Sequence, residues 1–129
     1  MVPLDATHRA RVSPEAAHRL HDLGTPAGEA AARFVRQRID GYAATQPMAD
    51  REGGVPVHDA LAVCAIIDPT ILTTAFIPVD VEVQSDLSAG RTVCDFRPVT
   101  TRPANVHFAT DADEPKFVRM LVDILSRTA

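Results

Sequence analysis

Apolar and polar positions along this chain follow two periods, and each change of period marks a boundary. Ser13-Pro14-Glu15 has the three marks of a helix start: a hydroxyl N-cap, Pro at the first helical position and an acid in the first turn. That helix is short, because Gly24 reads as the residue that closes it. Thr25-Pro26 repeats the start signal, and Ala31, Phe34, Val35, Ile39 and Tyr42 then recur at helical spacing on one stripe. Two helices joined so closely must meet at an angle. Thr45 to Pro56, rich in Pro, Gly and charge, reads as a loop. The run from Ala60 to Ile67 has no polar face, which predicts a helix buried on all sides, and Pro69 ends it at Asp68.

Beyond that point the period falls to two. Ile77, Val79, Val81 and Val83 alternate with Pro78, Asp80, Glu82 and Gln84, the pattern of a strand with one wet face. Asp86 to Gly90 turns the chain, Thr92 to Phe96 and Asn105 to Ala109 read as further strands, and together they predict a small antiparallel meander. Asp113-Glu114-Pro115 opens a last helix, with Phe117, Met120, Leu121, Ile124 and Leu125 as its apolar stripe. The fold class is α/β: helices plus a small antiparallel sheet.

Composition narrows the picture. At 129 residues the chain has the size of one domain, which usually takes ~100–200 residues. Hydrophobic residues at 46% and charged residues at 23% exclude wholesale disorder. The longest apolar run, Ala60 to Ile67, is far short of the roughly 20 residues of a membrane-spanning helix. The first residues lack the pattern of a secretory signal, so the expected location is cytoplasmic, with no membrane partner. A net charge of −4 argues against nucleic acid as a partner, since phosphate binding needs a positive surface. The cations are twelve Arg and one Lys, which with the abundant Ala reads as GC-rich codon usage rather than arginine-based recognition. Arg33, Arg36 and Arg38 are expected on a solvated helix face with Asp40. Cys64 and Cys94 fit no metal-ligand spacing and read as small buried hydrophobes.

The dyad His58-Asp59 carries the most chemistry. It stands where a loop enters the apolar helix, so Asp59 can be a plain N-cap and His58 a satisfied loop histidine. The functional reading makes Asp59 a cation ligand and His58 a proton donor. One His and one Asp do not complete a metal site, since calcium takes ~6–8 oxygen ligands. His18 and His21 share a helix face without a third ligand, and His107 points to the polar side of a strand. Asp111-Ala112-Asp113 lacks the glycine and terminal Glu of a calcium loop, so capping accounts for it better.

Taken together, these pieces resemble the C-terminal part of the inosine–uridine-preferring nucleoside hydrolase family. The carriers are Met1-Val2-Pro3-Leu4-Asp5-Ala6-Thr7-His8, then His58-Asp59-Ala60-Leu61-Ala62-Val63 with Ile67-Asp68-Pro69, the Val-rich strand ending near Glu82, Gly90-Arg91-Thr92-Val93, and Asn105-Val106. The likeness covers essentially the whole chain, so residues 1–129 are expected to be the C-terminal portion of a Rossmann-like nucleoside hydrolase domain whose N-terminal half is not among them. It implies hydrolysis of the N-glycosidic bond of ribonucleosides at a calcium ion. Asp59 then corresponds to a metal ligand, His58 to the acid that assists the leaving base, and Tyr42 to the region that carries aromatic residues over the base. The chemistry is coherent. Cleavage builds positive charge on the ribose, protonation of the poor leaving group is worth ~10²–10⁴-fold from a placed acid, and a cation lowers the pKa of bound water.

The family's Asp-x-Asp-x-Gly-x-Asp-Asp stretch is absent, and with it most of the metal ligands. This chain alone is therefore expected to be inactive. Two rivals stand beside the enzyme reading: a non-catalytic remnant stabilised by association with itself or another subunit, and a small-molecule-binding module.

Overall fold

The computed structural model describes residues 1–45, 54–97, 99 and 101–128. The predicted loop over 45–56 therefore falls mostly outside the described residues. The elements in chain order are α1 (Leu4–Thr7), β1 (Arg11–Val12), α2 (Pro14–His21), α3 (Pro26–Thr45), β2 (Val55–Pro56), α4 (His58–Ile67), a 3₁₀ turn (Pro69–Ile71), β3 (Leu72–Ile77), β4 (Val79–Val81), β5 (Thr92–Cys94), β6 (Val106–Ala112) and α5 (Glu114–Ser126). This is an α/β fold with small antiparallel sheets.

The helix starts lie where the capping signals put them. Ser13 is extended and its side chain accepts from the Ala16 N–H at 3.2 Å. Thr25 Oγ1 accepts from the Gly28 N–H at 3.1 Å and donates to the Leu125 carbonyl at 3.1 Å, so the cap of α3 also holds the far end of α5. Asp113 caps α5 through the Lys116 N–H at 2.9 Å. The Glu114 carboxylate accepts from the Arg11 N–H at 3.0 Å, tying α5 to β1. Gly24, at φ +64°, takes the left-handed conformation that ends α2. Gly54, at φ +78°, brings β2 so close to β1 that a Cβ there would overlap the Val12 carbonyl.

The core gathers Val12, Leu20, Val35, Val55, Leu61, Cys64, Ile71 and Phe117, each at most 3% exposed. Two expectations about helix faces fail here. Phe34 is 50% exposed, because Ala32 and Val35 supply the buried edge of α3 and the stripe has rotated past the aromatic ring. α4 is not buried all round: Leu61 and Cys64 are covered, while Val63, Ile66 and Ile67 are 56%, 82% and 59% exposed. The chain packs only one side of this helix.

The sheet also differs from a meander. β3 pairs antiparallel with β6 from Leu72↔Ala112 to Ile77↔Val106, with a register shift between Thr73 and Thr74. β4 pairs antiparallel with β5 from Val79↔Cys94 to Val81↔Thr92. The result is one strand pair nested inside another. The strand expected to begin at Ile77 begins at Leu72 instead, and Pro78 divides it because proline has no N–H for the ladder. Val83 lies beyond the pairing and is 75% exposed. β6 extends past the predicted Ala109 to Ala112.

Asp68 joins three elements at the end of α4. Its Oδ1 accepts from the Thr70 N–H at 3.0 Å and the Thr70 hydroxyl at 2.6 Å, and its Oδ2 meets Lys116 Nζ of α5 at 2.6 Å. These bonds, led by Lys116, hold its carboxyl down to about 2 from an ordinary 3.8. A depressed carboxyl contributes stability above its unfolded value and loses it as pH falls toward the folded value. Asp68→Asn is therefore expected to lower the urea midpoint at neutral pH, and the gap to the parent should close between about pH 4 and pH 2. A gap that persists unchanged at pH 2 would show that the charge is not what Asp68 contributes.

Candidate active site

The head of α4 is assembled from three parts of the chain. Val57 takes the N-cap position in a non-helical conformation without a side-chain cap bond, so His58 and Asp59 lie inside the first turn. Asp59 is thus not the N-cap. Its carboxylate is exposed, where the unpaired N–H groups of the first turn favour negative charge.

The His58 ring is half-buried and held from α1. Its Nδ1 lies 2.8 Å from Thr7 Oγ1, and the His8 ring stacks on it with centroids 5.7 Å apart and an interplanar angle of 29°. Burial lowers the His58 pKa below its ordinary 6.5, the charges of His8 and Arg38 push it the same way, and Asp59 opposes them. Arg38 belongs to this neighbourhood and not to a solvated face. It is half-buried, and its guanidinium lies 4.8 Å from the centre of the Tyr42 ring. Tyr42 packs half-buried against the core with this cation over its face. The structure thus gathers His58 and Asp59 on one turn, and the Arg38 charge that lies over Tyr42 also acts on His58.

From the sequence, His8 with Asp5 and Thr7 reads as a loop cluster explained by capping and turn roles. The structure instead puts Thr7 in α1 and brings both Thr7 and His8 to the His58 ring. Arg38 reads with Arg33 and Arg36 as one solvated charged face, although it lies two positions beyond Arg36, about 200° round the helix, and is half-buried.

The other candidates have ordinary roles. The His18 ring meets Arg36 at 3.3 Å on the exposed side of α2, and His107 packs against Phe76 with centroids 4.6 Å apart. Burial raises the thiols of Cys64 and Cys94, the opposite of what a nucleophile needs. Cys94 is only half-buried. A cavity of about 530 Å³ lies along β4 and β5, but its polar side chains are engaged. Asn105 bonds both backbone groups of Val79 at 2.8 and 3.0 Å, Arg102 pairs with Asp80, and Glu82 binds the Gln84 and Ser85 N–H groups at 2.6 and 3.1 Å.

Calcium is the cation that the sequence resemblance implies. Among the described residues, no group of three or more His, Cys, Asp or Glu side chains could hold a metal ion. Asp59 offers one carboxylate where calcium takes ~6–8 oxygens. The described residues therefore do not make a calcium site by themselves.

Comparison with known proteins adds a second line. The sequence profile of a family described as inosine-uridine preferring nucleoside hydrolase matches residues 1–119. The inosine-uridine preferring nucleoside hydrolase of Leishmania major is 36% identical over 127 residues, covering 98% of this chain and 39% of that protein. The protein of the same name from Crithidia fasciculata is 36% identical over 129 residues, with the same 98% and 39% shares. The solved purine-preferring ribonucleoside hydrolase from Gardnerella vaginalis matches with a TM-score of 0.78 at 30% identity, over 98% of this chain and 39% of that one. The chain thus spans 39% of the length of these relatives.

Proposed function

Because the chain belongs to the inosine-uridine preferring nucleoside hydrolase family, we propose that residues 1–129 are the C-terminal portion of an enzyme that hydrolyses ribonucleosides to free base and ribose. The observation that carries this reading is the head of α4. There a histidine ring is fixed at Nδ1 by Thr7, next to a solvent-facing carboxylate in the first turn of a helix. In the proposed reaction His58 delivers a proton to the departing base. A nitrogen base is a poor anion, so a proton supplied as the bond breaks lowers the barrier. Asp59 serves the cation and ribose side of the site, with the remaining ligands coming from outside the described residues. Arg38 lies over the half-buried Tyr42 ring, and the family likeness assigns Tyr42 to the base.

The isolated chain is expected to release no base or ribose from inosine or uridine, with or without added calcium. In a chimera where it replaces the matching portion of the Leishmania major relative, turnover is expected to appear. Calcium-dependent turnover by the isolated chain, abolished by Asp59→Ala, would show that it is a complete catalyst. An inactive chimera that is folded would remove the enzymatic reading.

One observation favours association as a second property. Val63, Ile66 and Ile67 expose a contiguous apolar turn of α4, an arrangement that marks a surface awaiting cover. Light scattering over a range of concentrations is expected to show self-association of the isolated chain. A concentration-independent monomer that binds no hydrophobic dye would count against it.

A further inference from the structure

We propose that Thr7 is a positioning residue for His58. Its hydroxyl accepts the Nδ1–H of the imidazole and so leaves Nε2 as the nitrogen that exchanges a proton with a ligand. The proposal rests on reading His58 as the proton donor, and it assigns that role to one atom.

Thr7 is the buried polar side chain of the described residues, at 2% exposure. A hydroxyl shielded from water must find its partners within the protein, and it has one proton to give and lone pairs to receive. Thr7 Oγ1 has two neighbours: the Leu4 carbonyl at 3.3 Å and His58 Nδ1 at 2.8 Å. The hydroxyl donates its one proton to the Leu4 carbonyl, which also accepts the His8 N–H at 2.9 Å. The lone pairs then face His58, and the shorter contact is made by Nδ1–H. The bond made by one ring nitrogen decides which proton the other can carry.

The anchor is stiff. Thr7 is β-branched and sits in α1, with its own N–H bonded to the Pro3 carbonyl at 3.1 Å. The His8 ring stacks on His58 with centroids 5.7 Å apart. Among the described residues, no further hydrogen bond reaches the His58 ring. Nε2 is therefore the ring nitrogen left without a hydrogen-bond partner among the described residues. The contact joins residues 51 positions apart, so it is a device of the tertiary fold.

Nitrogen-15 NMR of the histidine rings in this 129-residue chain tests the proposal, recorded at a pH where the imidazoles are neutral. The His58 signals are assigned as those lost in His58→Gln. The parent is expected to show Nδ1 protonated and Nε2 unprotonated. Thr7→Val keeps the shape and removes the acceptor, so the two resonances should interchange toward the Nε2–H form that a free imidazole favours. Thr7→Ser should restore the parent pattern, which a purely packing role for Thr7 would not produce. A parent with Nε2–H, or a folded Thr7→Val with the parent's pattern, would overturn the proposal. The parent spectrum decides the tautomer even where Thr7→Val fails to fold. Failure of the proton-donor reading would appear elsewhere, in the kinetics of the chimera, with the tautomer unchanged.

Discussion

His58→Ala, made in the chimera with the Leishmania major relative, is expected to lower kcat on inosine by ~10²–10⁴-fold, the usual contribution of a placed general acid. On a nitrophenyl riboside, whose leaving group departs without a proton, the same substitution should cost less than about tenfold. Asp59→Ala should act differently. Its carboxylate is exposed at the first turn of α4, and the proposed reaction assigns it to the cation and ribose side. Losing it should depress both substrates alike and raise the calcium concentration needed for half-maximal rate. The contrast follows from the proposed roles, one residue on the leaving group and the other on the sugar. Equal losses on both substrates for His58→Ala would mean that the ring is not a leaving-group acid. The contact with Thr7 would then be a packing bond between α1 and α4.

Phe117→Ala is expected to produce the largest loss of stability in the isolated chain. Phe117 is 0% exposed, and it is the first buried residue of α5 in the core shared with Leu20, Leu61 and Ile71. Truncating a buried phenylalanine costs ~3–5 kcal/mol through lost transfer energy and a residual cavity. That is a large part of the ~5–15 kcal/mol that holds an ordinary domain together. Phe34→Ala is the matched control. The ring is 50% exposed, and alanine is the better helix former, so the change should stay within ~1 kcal/mol. Urea denaturation of the two variants separates them. Comparable midpoint losses would place Phe34 back on the buried stripe and contradict the packing of α3.

The two phenylalanines show why helical spacing was informative without being decisive. Both fall on an apolar stripe, and spacing treats them alike. The stripe of α5 lies against the core along its length, whereas α3 is buried along Ala32 and Val35 and carries Phe34 outward. In α4, which is apolar all round, the sequence has no polar face to orient the helix. The packing chose Leu61 and Cys64, and Val63, Ile66 and Ile67 were left outside. β3 was missed for a related reason. Leu72-Thr73-Thr74-Ala75-Phe76 does not alternate, and its strand geometry comes from pairing with β6, a partner more than thirty positions away.

By itself, the sequence determined what neighbouring residues settle among themselves. Ser13, Thr25 and Asp113 start helices because each side chain can bond a backbone N–H three residues on, and Gly24 stops one because it accepts a positive φ. The His58-Asp59 dyad and its place at a helix head were legible in the same way, along with the family likeness. Only the tertiary structure decided that Asp59 lies within the first turn, that Arg38 turns inward over Tyr42, and that Thr7 meets His58. The last of these depends on two surfaces approaching across 51 positions of chain, while the first two are settled by where α4 starts and which way α3 faces the core. Local periodicity carries no record of that choice, because burial is shared among all the elements that compete for the same core.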